Sequence, residues 1–195
     1  RRSSDLRFEL VMRTVVSFVS RNRLKDIVYE LAYYDESGYP NLRTLNRELD
    51  KIVKEKTFGS MMAVRYNLRH FSIINQEFGR EMGDVIIKNH YDNLKNILGE
   101  NSLVVRLGGD NFVALGPKEK AKEVADYLFE TVIRVDETSK VKVPTSAGIF
   151  VPPEGFLPEN PGDIMGKIIN AYRVAQNGGR SHIVYYTDDL MMIKQ

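Results

Sequence analysis

Apolar residues at helical spacing dominate the first thirty positions of the chain. The stripe from Phe8 to Phe18 recurs every three or four positions and predicts an amphipathic helix over residues 6–19. The apolar phase slips at the polar run 20–23, so we expect a break or bend there. A second helical set follows from Leu24 to Leu31.

Beyond residue 40 the apolar pattern alternates between helical and strand spacing. The predicted helices cover 42–55, 70–78, 82–98, 118–134 and 162–177, and the predicted strands cover 61–66, 103–107, 112–115, 142–150 and 182–186. Asn41 is expected to cap the first of these helices, and Gly79 and Gly83 are expected to separate the second from the third. The proline-rich run 152–162 is interpreted as a surface loop.

This order of elements, βααββαβ, predicts an α+β fold. Its central sheet is antiparallel and flanked by helices, which we expect largely on one face. The Gly-Gly-Asp-Asn run 108–111 supplies the turn of a hairpin between the second and third strands.

Composition narrows the function classes. The 195 residues carry 28 Lys and Arg against 26 Asp and Glu, a balance that argues against a nucleic-acid or membrane surface. Absence of cysteine excludes disulfides, a thiolate nucleophile and cysteine-bound zinc, and favours a cytoplasmic location. The chain begins Arg1-Arg2, so we interpret it as a piece of a longer protein, whose other parts can include a membrane anchor.

Five short motifs in a fixed order carry the most specific information. They are Ser37–Asn41, Asn67–Asn75, Gly79–Asp84, Gly108–Phe112 and Ala175–Arg180. Their order and spacing resemble the GGDEF family of nucleotidyl cyclases, the diguanylate cyclases of bacterial signalling, whose patterns are LTGLPN, DxDxFKxIN, GHxxGD, GGDEF and AKxxGR. The resemblance covers about residues 30–187 and implies a nucleotidyl cyclase-like fold with a ferredoxin-like palm.

The resemblance also implies a chemistry. A dimer presents two GTP molecules, the 3′-hydroxyl of one attacks the α-phosphate of the other, and Mg²⁺ neutralises the phosphates as cyclic di-GMP forms. Positions matching the metal ligands are Asn67, the backbone of Leu68, and Asp110. Positions matching the catalytic turn are Gly108, Gly109, Asp110 and Asn111. Positions matching the nucleotide contacts are His70, Phe71, Asn75, Asp84 and Arg180.

Several of these positions depart from the family pattern. Asn67 replaces the first aspartate of the carboxylate pair, so only Asp110 of that pair is left as a vestigial metal ligand. Ser72 and Gln176 replace the lysines that hold phosphate, and Arg69 adds a positive charge near the metal position. We therefore expect weakened handling of metal and phosphate.

The two positions that read guanine in the family are both kept. Asp84 can accept hydrogen bonds from the guanine N1 and N2 hydrogens, and the Asn75 amide offers a donor and an acceptor. The alternatives are a capping or bridging role for Asn75 between two helices, a helix cap for Asp84 and a turn-forming role for Asp110. Residues 99–102 read Gly-Glu-Asn-Ser, so the RxxD product-inhibition motif is absent.

Three functions follow as alternatives. The first is a catalytically impaired regulatory or dimerisation module that binds GTP, with Mg²⁺ needed only where nucleotide chemistry survives. The second is an active diguanylate cyclase, and the third is a ligand-free scaffold. The predicted organisation is a helical signalling extension over 1–29, a GGDEF-like domain over 30–187 and a tail over 188–195. Expected partners are a second copy of the chain or a neighbouring domain, such as an EAL-type phosphodiesterase.

Overall fold

The computed structural model describes residues 2–136, 139–177 and 182–188. The chain divides into two compact units, one ending at Tyr39 and one beginning at Pro40. The first unit is the helix α1 (Arg2–Tyr33) and the turn that follows it. The predicted tail over 188–195 lies outside the described residues except for its first position.

The helix α1 is continuous, so the predicted break at 20–23 is wrong. The run from Ser20 to Arg23 contains neither glycine nor proline, so nothing there interrupts the backbone hydrogen bonds. The apolar positions before and after this run follow different helical registers, so the two apolar stripes point in different directions from one continuous helix. Leu10, Phe18 and Leu31 are all more than half exposed within this unit. Within the described residues no helix combines the length and apolarity needed to cross a bilayer.

The second unit is built on a five-stranded sheet, counted over the described residues. Its strands are β1 (Met61–Leu68), β2 (Leu103–Gly108), β3 (Asn111–Pro117), β6 (Thr145–Phe150) and β7 (His182–Tyr185), in the order β2-β3-β1-β6-β7. Neighbours are antiparallel except β6 and β7, which are parallel. A separate hairpin joins β4 (Val132–Arg134) and β5 (Lys140–Lys142). The predicted α+β fold with a mostly antiparallel sheet is thereby confirmed.

The helices of this unit flank both faces of the sheet, which corrects the expectation of one face. They are α2 (Leu42–Glu55), α3 (Phe71–Phe78), α4 (Arg80–Leu98), α5 (Ala121–Phe129) and α6 (Pro161–Gln176). On one face, α2 and α6 bury a core that includes Leu49, Val113 and Ile168. On the other face, His90 of α4 contacts Tyr66 and Phe112 of the sheet.

Asn41 caps α2 as predicted, because its side-chain oxygen accepts hydrogen bonds from the backbone N–H groups of Arg43 and Thr44 at 2.9 and 3.2 Å. The predicted separation of α3 from α4 holds only at Gly79. Gly83 lies inside α4, where it is buried.

Two predicted elements are shorter than expected. The helix over 118–134 ends at Phe129, where the Thr131 hydroxyl donates to the carbonyl oxygens of Tyr127 and Leu128 and the chain turns into β4. The strand over 142–150 is interrupted at Pro144, which has no N–H to donate to a ladder.

The loop between β6 and α6 covers part of the core. The Phe156 ring meets those of Phe58 and Phe150 edge-on, with centroids 6.1 and 5.1 Å apart, and Pro152 and Pro158 are buried. The interpretation of this run as a surface loop is therefore wrong for Pro152, Phe156 and Pro158, whereas Leu157 is exposed as expected.

Candidate functional site

The end of β1 and the β2–β3 turn form one edge of the sheet. Asn67 pairs with Asn111 of β3 on one side and with Ser146 of β6 on the other. The backbone N–H of Leu68 donates to the carbonyl oxygen of Asp110 at 3.0 Å. The residues matched to the family's metal ligands and catalytic turn are therefore brought together by strand pairing.

The turn itself is held in a defined shape. Gly108 and Gly109 have φ values of 127° and 56°, which favour glycine over any residue with a side chain. The Arg106 guanidinium donates from Nε to the Gly109 carbonyl oxygen at 2.8 Å, and Nδ2 of Asn111 donates to Oδ1 of Asp110 at 2.9 Å. One oxygen of the Asp110 carboxylate is thus already engaged inside the turn.

Two buried oxygens at this edge lack a hydrogen-bond partner. They are Oδ1 of Asn67 and Oγ of Ser146, which belong to directly paired residues on β1 and β6. Leaving such groups unpaired costs about 1–3 kcal/mol each. Unsatisfied polar atoms inside a fold mark places where a ligand or water completes the structure.

Positive charge also lies close to this edge. The guanidinium carbon of Arg65 lies 5.0 Å from the centroid of the Tyr172 ring of α6. Burial raises the pKa of Tyr172, the charges of Arg65 and Arg69 lower it, and the charge of Asp110 raises it. Two guanidiniums and one carboxylate therefore act on the same phenol.

These residues do not fit a tightly held Mg²⁺. A divalent cation prefers several anionic oxygens, whereas this edge offers one carboxylate, Asp110, and one neutral amide oxygen, Asn67. Across the described residues there is no group of three or more His, Cys, Asp or Glu side chains suited to a metal ion. Arg65 and Arg69 add repulsion rather than ligands.

The two residues matched to guanine recognition lie on the consecutive helices α3 and α4. Oδ1 of Asn75 is buried without a hydrogen-bond partner. A Cβ placed on Gly83 would collide with this oxygen, which shows how closely the Asn75 amide lies against α4. Asp84, the next residue of α4, is exposed. It lies four residues after the helix start at Arg80, so it is not the helix cap.

The other predicted nucleotide contacts divide into three kinds. His70 is exposed and precedes α3 with a φ of 60°, a left-handed conformation. The Phe71 side chain is buried and packs near Gly83. Arg180 lies outside the described residues. Gln176, which stands where the family has a lysine, donates from Nε2 to the Tyr172 hydroxyl at 3.0 Å.

Sequence reasoning missed Arg65, Tyr172 and Ser146 at this edge. A usable signal for Arg65 is its charge in the middle of an otherwise apolar strand, between Val64 and Tyr66. Nothing in the sequence distinguishes Tyr172 from an ordinary core tyrosine, because its role depends on the packing of α6 against β1.

Comparisons with known proteins decide the family. A family model described as "Diguanylate cyclase, GGDEF domain" matches residues 32–182. The chain belongs to the GGDEF family of cyclic di-GMP signalling domains. The resemblance inferred from the five motifs is confirmed, and the match covers more than half of the chain.

Individual relatives agree with this assignment. The response regulator PleD of Caulobacter vibrioides is 33% identical over 100 residues, which make up 50% of this chain and 22% of that protein. The probable diguanylate cyclase DgcT of Escherichia coli is 29% identical over 126 residues, or 60% of this chain and 27% of that protein. This chain therefore matches only about a quarter of the length of these relatives.

Solved structures share the fold. The coiled coil and GGDEF domain of DgcB from Caulobacter crescentus, in complex with c-di-GMP, matches with a TM-score of 0.68 at 20% identity and covers 90% of this chain and 98% of that one. The GGDEF domain of PA1120 from Pseudomonas aeruginosa matches with a TM-score of 0.67 at 23% identity, over 82% of this chain and 98% of that one.

Proposed function

We propose that this GGDEF domain binds a guanine nucleotide without joining two of them into cyclic di-GMP, and that it acts as a regulatory or dimerisation module. The observation that supports this most strongly is that both positions matched to guanine recognition are kept, with Asn75 on α3 lying against Gly83 of α4 and Asp84 exposed at the next position. The residues that read guanine in the family are kept on α3 and α4. At the sheet edge that holds the metal ion in the family, Asn67 replaces one of the two carboxylates.

The chemistry of the junction favours guanine over adenine. The Asp84 carboxylate accepts the N1 and N2 hydrogens of guanine, and the Asn75 amide offers a donor and an acceptor to the same base. Adenine presents a lone pair at N1, which meets the carboxylate with repulsion. A hydrogen bond to a charged group is worth about 1.5–3 kcal/mol, so we expect GTP to bind about 10- to 100-fold more tightly than ATP.

Replacement of one carboxylate of the pair by Asn67 accounts for the absence of turnover. Attack of a 3′-hydroxyl on an α-phosphate builds negative charge that the family offsets with a divalent cation. Asn67 and Asp110 supply one negative charge between them, and Arg65 lies nearby. The domain therefore holds the base of the nucleotide but lacks the groups that hold the metal ion.

Calorimetric titration with GTP and ATP tests the proposal. Asn75→Ala and Asp84→Ala are each expected to abolish the preference for GTP, because each removes one guanine contact. Gln76→Ala and Asp92→Ala, at exposed positions of the same two helices, are matched controls and are expected to keep it. Unchanged binding in folded Asn75→Ala and Asp84→Ala variants contradicts the proposal. Absence of binding by the wild-type chain supports the ligand-free scaffold instead.

A second candidate function is an active diguanylate cyclase. Asp110 is kept in a well-formed glycine turn, and the probable diguanylate cyclase DgcT is among the relatives. On this account Asp110→Ala abolishes cyclic di-GMP and Asn67→Asp increases it. Chromatography of reactions with Mn²⁺ and excess GTP measures both, and no product from the wild type or from Asn67→Asp contradicts this candidate.

We also propose an organisation of the chain, on the basis of its membership of the GGDEF family. The segment 1–29 is assigned to a helical signalling extension, 30–187 to the nucleotide-binding domain and 188–195 to a tail. A second copy of the chain or a neighbouring EAL-type phosphodiesterase domain is the proposed partner. One structural neighbour is described as a diguanylate cyclase/phosphodiesterase of Caldicellulosiruptor saccharolyticus, which supports the pairing of the two kinds of domain.

A further inference from the structure

Two arginine side chains belong to the sheet edge that carries Asp110. Arg65 and Asn67 are two positions apart on β1, so their side chains lie on the same face of the sheet. This is the face covered by α6. Arg69 follows the strand, and its backbone N–H donates to the Pro144 carbonyl oxygen at 2.7 Å, which extends the alignment with β6 beyond the strand end. Backbone pairing therefore fixes the chain at all three positions.

The charges of Arg65, Arg69 and Asp110 all act on the Tyr172 side chain. The Arg65 guanidinium lies over the Tyr172 ring in a cation–π arrangement, with its carbon 5.0 Å from the ring centroid. Arg69 and Asp110 both act electrostatically on the same phenol, with opposite signs. Two guanidiniums and one carboxylate thus act on this phenol, and the carboxylate already accepts a hydrogen bond from Asn111.

A buried hydroxyl group lies on the same face of the sheet. Ser146 is 1% exposed, and its hydroxyl has no hydrogen-bond partner. It is paired with Asn67, so it lies on the same face as Arg65. This hydroxyl can donate a hydrogen bond to an anionic oxygen, and the Arg65 guanidinium on the same face attracts an anion.

We propose that Arg65 and Arg69 bind the phosphate chain of the guanine nucleotide directly, in place of the cation that a carboxylate pair would hold. This inference rests on the proposed function and adds the ligand class, a metal-free nucleoside diphosphate or triphosphate. Guanidinium groups bind phosphate oxygens in pairs of parallel hydrogen bonds, which provides both charge and orientation. Ser72 and Gln176, which stand where the family has lysines, carry no charge to do so.

Magnesium dependence is the first test. The wild-type chain is titrated calorimetrically with GTP and with guanosine, each in EDTA and in excess Mg²⁺. The proposal predicts that GTP binds in EDTA at least as tightly as in Mg²⁺, and at least about tenfold more tightly than guanosine. A requirement for Mg²⁺, or equal affinities for GTP and guanosine, overturns it.

Substitutions locate the contact. Arg65→Gln and Arg69→Gln are each expected to weaken GTP binding in EDTA by about tenfold or more and to leave guanosine binding unchanged. Arg173→Gln is the matched control, because Arg173 is exposed on α6 one residue after Tyr172. Folding of each variant is checked by its melting temperature, and wild-type affinity for GTP in folded Arg65→Gln and Arg69→Gln overturns the assignment.

The two proposals fail in different ways. If neither GTP nor guanosine binds the wild-type chain, the proposal of guanine recognition by Asn75 and Asp84 is wrong. The proposed phosphate contact by Arg65 and Arg69 is then wrong as well. If guanosine and GTP bind equally well, guanine recognition stands and only the phosphate contact by Arg65 and Arg69 is wrong.

Discussion

Replacement of the buried His90 gives the most quantitative test of the packing. Its side chain is fully buried on the face of the sheet covered by α4 and α5. Its Nδ1 lies 2.9 Å from the Tyr127 hydroxyl, and its Nε2 lies 3.1 Å from the Tyr66 hydroxyl. His90→Phe keeps the ring but leaves the buried Tyr66 hydroxyl unpaired, which we expect to cost about 1–3 kcal/mol at neutral pH.

The same histidine makes stability depend on pH. Burial lowers the pKa of His90 from its usual value of 6.5 to about 3. Between these values the unfolded chain binds a proton that the folded chain does not, so the free energy of unfolding falls as pH falls. From about pH 7.5 to about pH 5.0 this one group removes about 2 kcal/mol, which His90→Phe does not lose.

Urea denaturation at both pH values measures the difference. The penalty of His90→Phe relative to wild type is expected to shrink by about 2 kcal/mol between pH 7.5 and pH 5.0. His182→Gln, at an exposed histidine of β7, is the control and keeps the wild-type dependence. A His90→Phe penalty that is the same at both pH values refutes the assignment of a neutral, buried imidazole.

Three further substitutions follow from close contacts in the fold. Gly83→Ala is expected to displace the Asn75 amide and weaken GTP binding while the melting temperature changes little; unchanged calorimetric affinity contradicts this. Gly148→Ala places a Cβ against the backbone of α6 at Tyr172, which cannot move aside, so a loss of about 2 kcal/mol or more in urea denaturation is expected and wild-type stability contradicts it. Asn41→Ala removes the cap of α2 and is expected to cost about 1 kcal/mol by the same assay, whereas Asn41→Asp retains most of it.

The fold was largely predictable because its signals are local. The Gly-Gly turn, the Asn41 cap and the alternation of apolar periods each act within a few residues, and each appears in the structure as expected. The errors arise where periodicity and backbone chemistry disagree. Helical spacing over 118–134 gave no sign that Thr131 ends the helix, and apolar continuity over 142–150 concealed the break at Pro144.

Only the residues of the candidate site that belong to sequence motifs could be predicted. Asn67, Asp110, Asn75 and Asp84 could be named from their order along the chain, and strand pairing brings the first two together. Their roles stay predictions. The position of Arg65 over Tyr172 was not predictable, because it depends on α6 crossing β1 at a distance of more than 100 residues along the sequence.

The central claim is that this domain selects guanine nucleotides without converting them. The most direct measurement is calorimetric titration of the purified chain with GTP and then ATP, with and without Mg²⁺. The solution in the calorimeter cell is then analysed by chromatography for cyclic di-GMP and remaining GTP. The account predicts tighter binding of GTP than ATP, no need for Mg²⁺, and GTP recovered unchanged. Formation of cyclic di-GMP, or equal affinities for GTP and ATP, would contradict it.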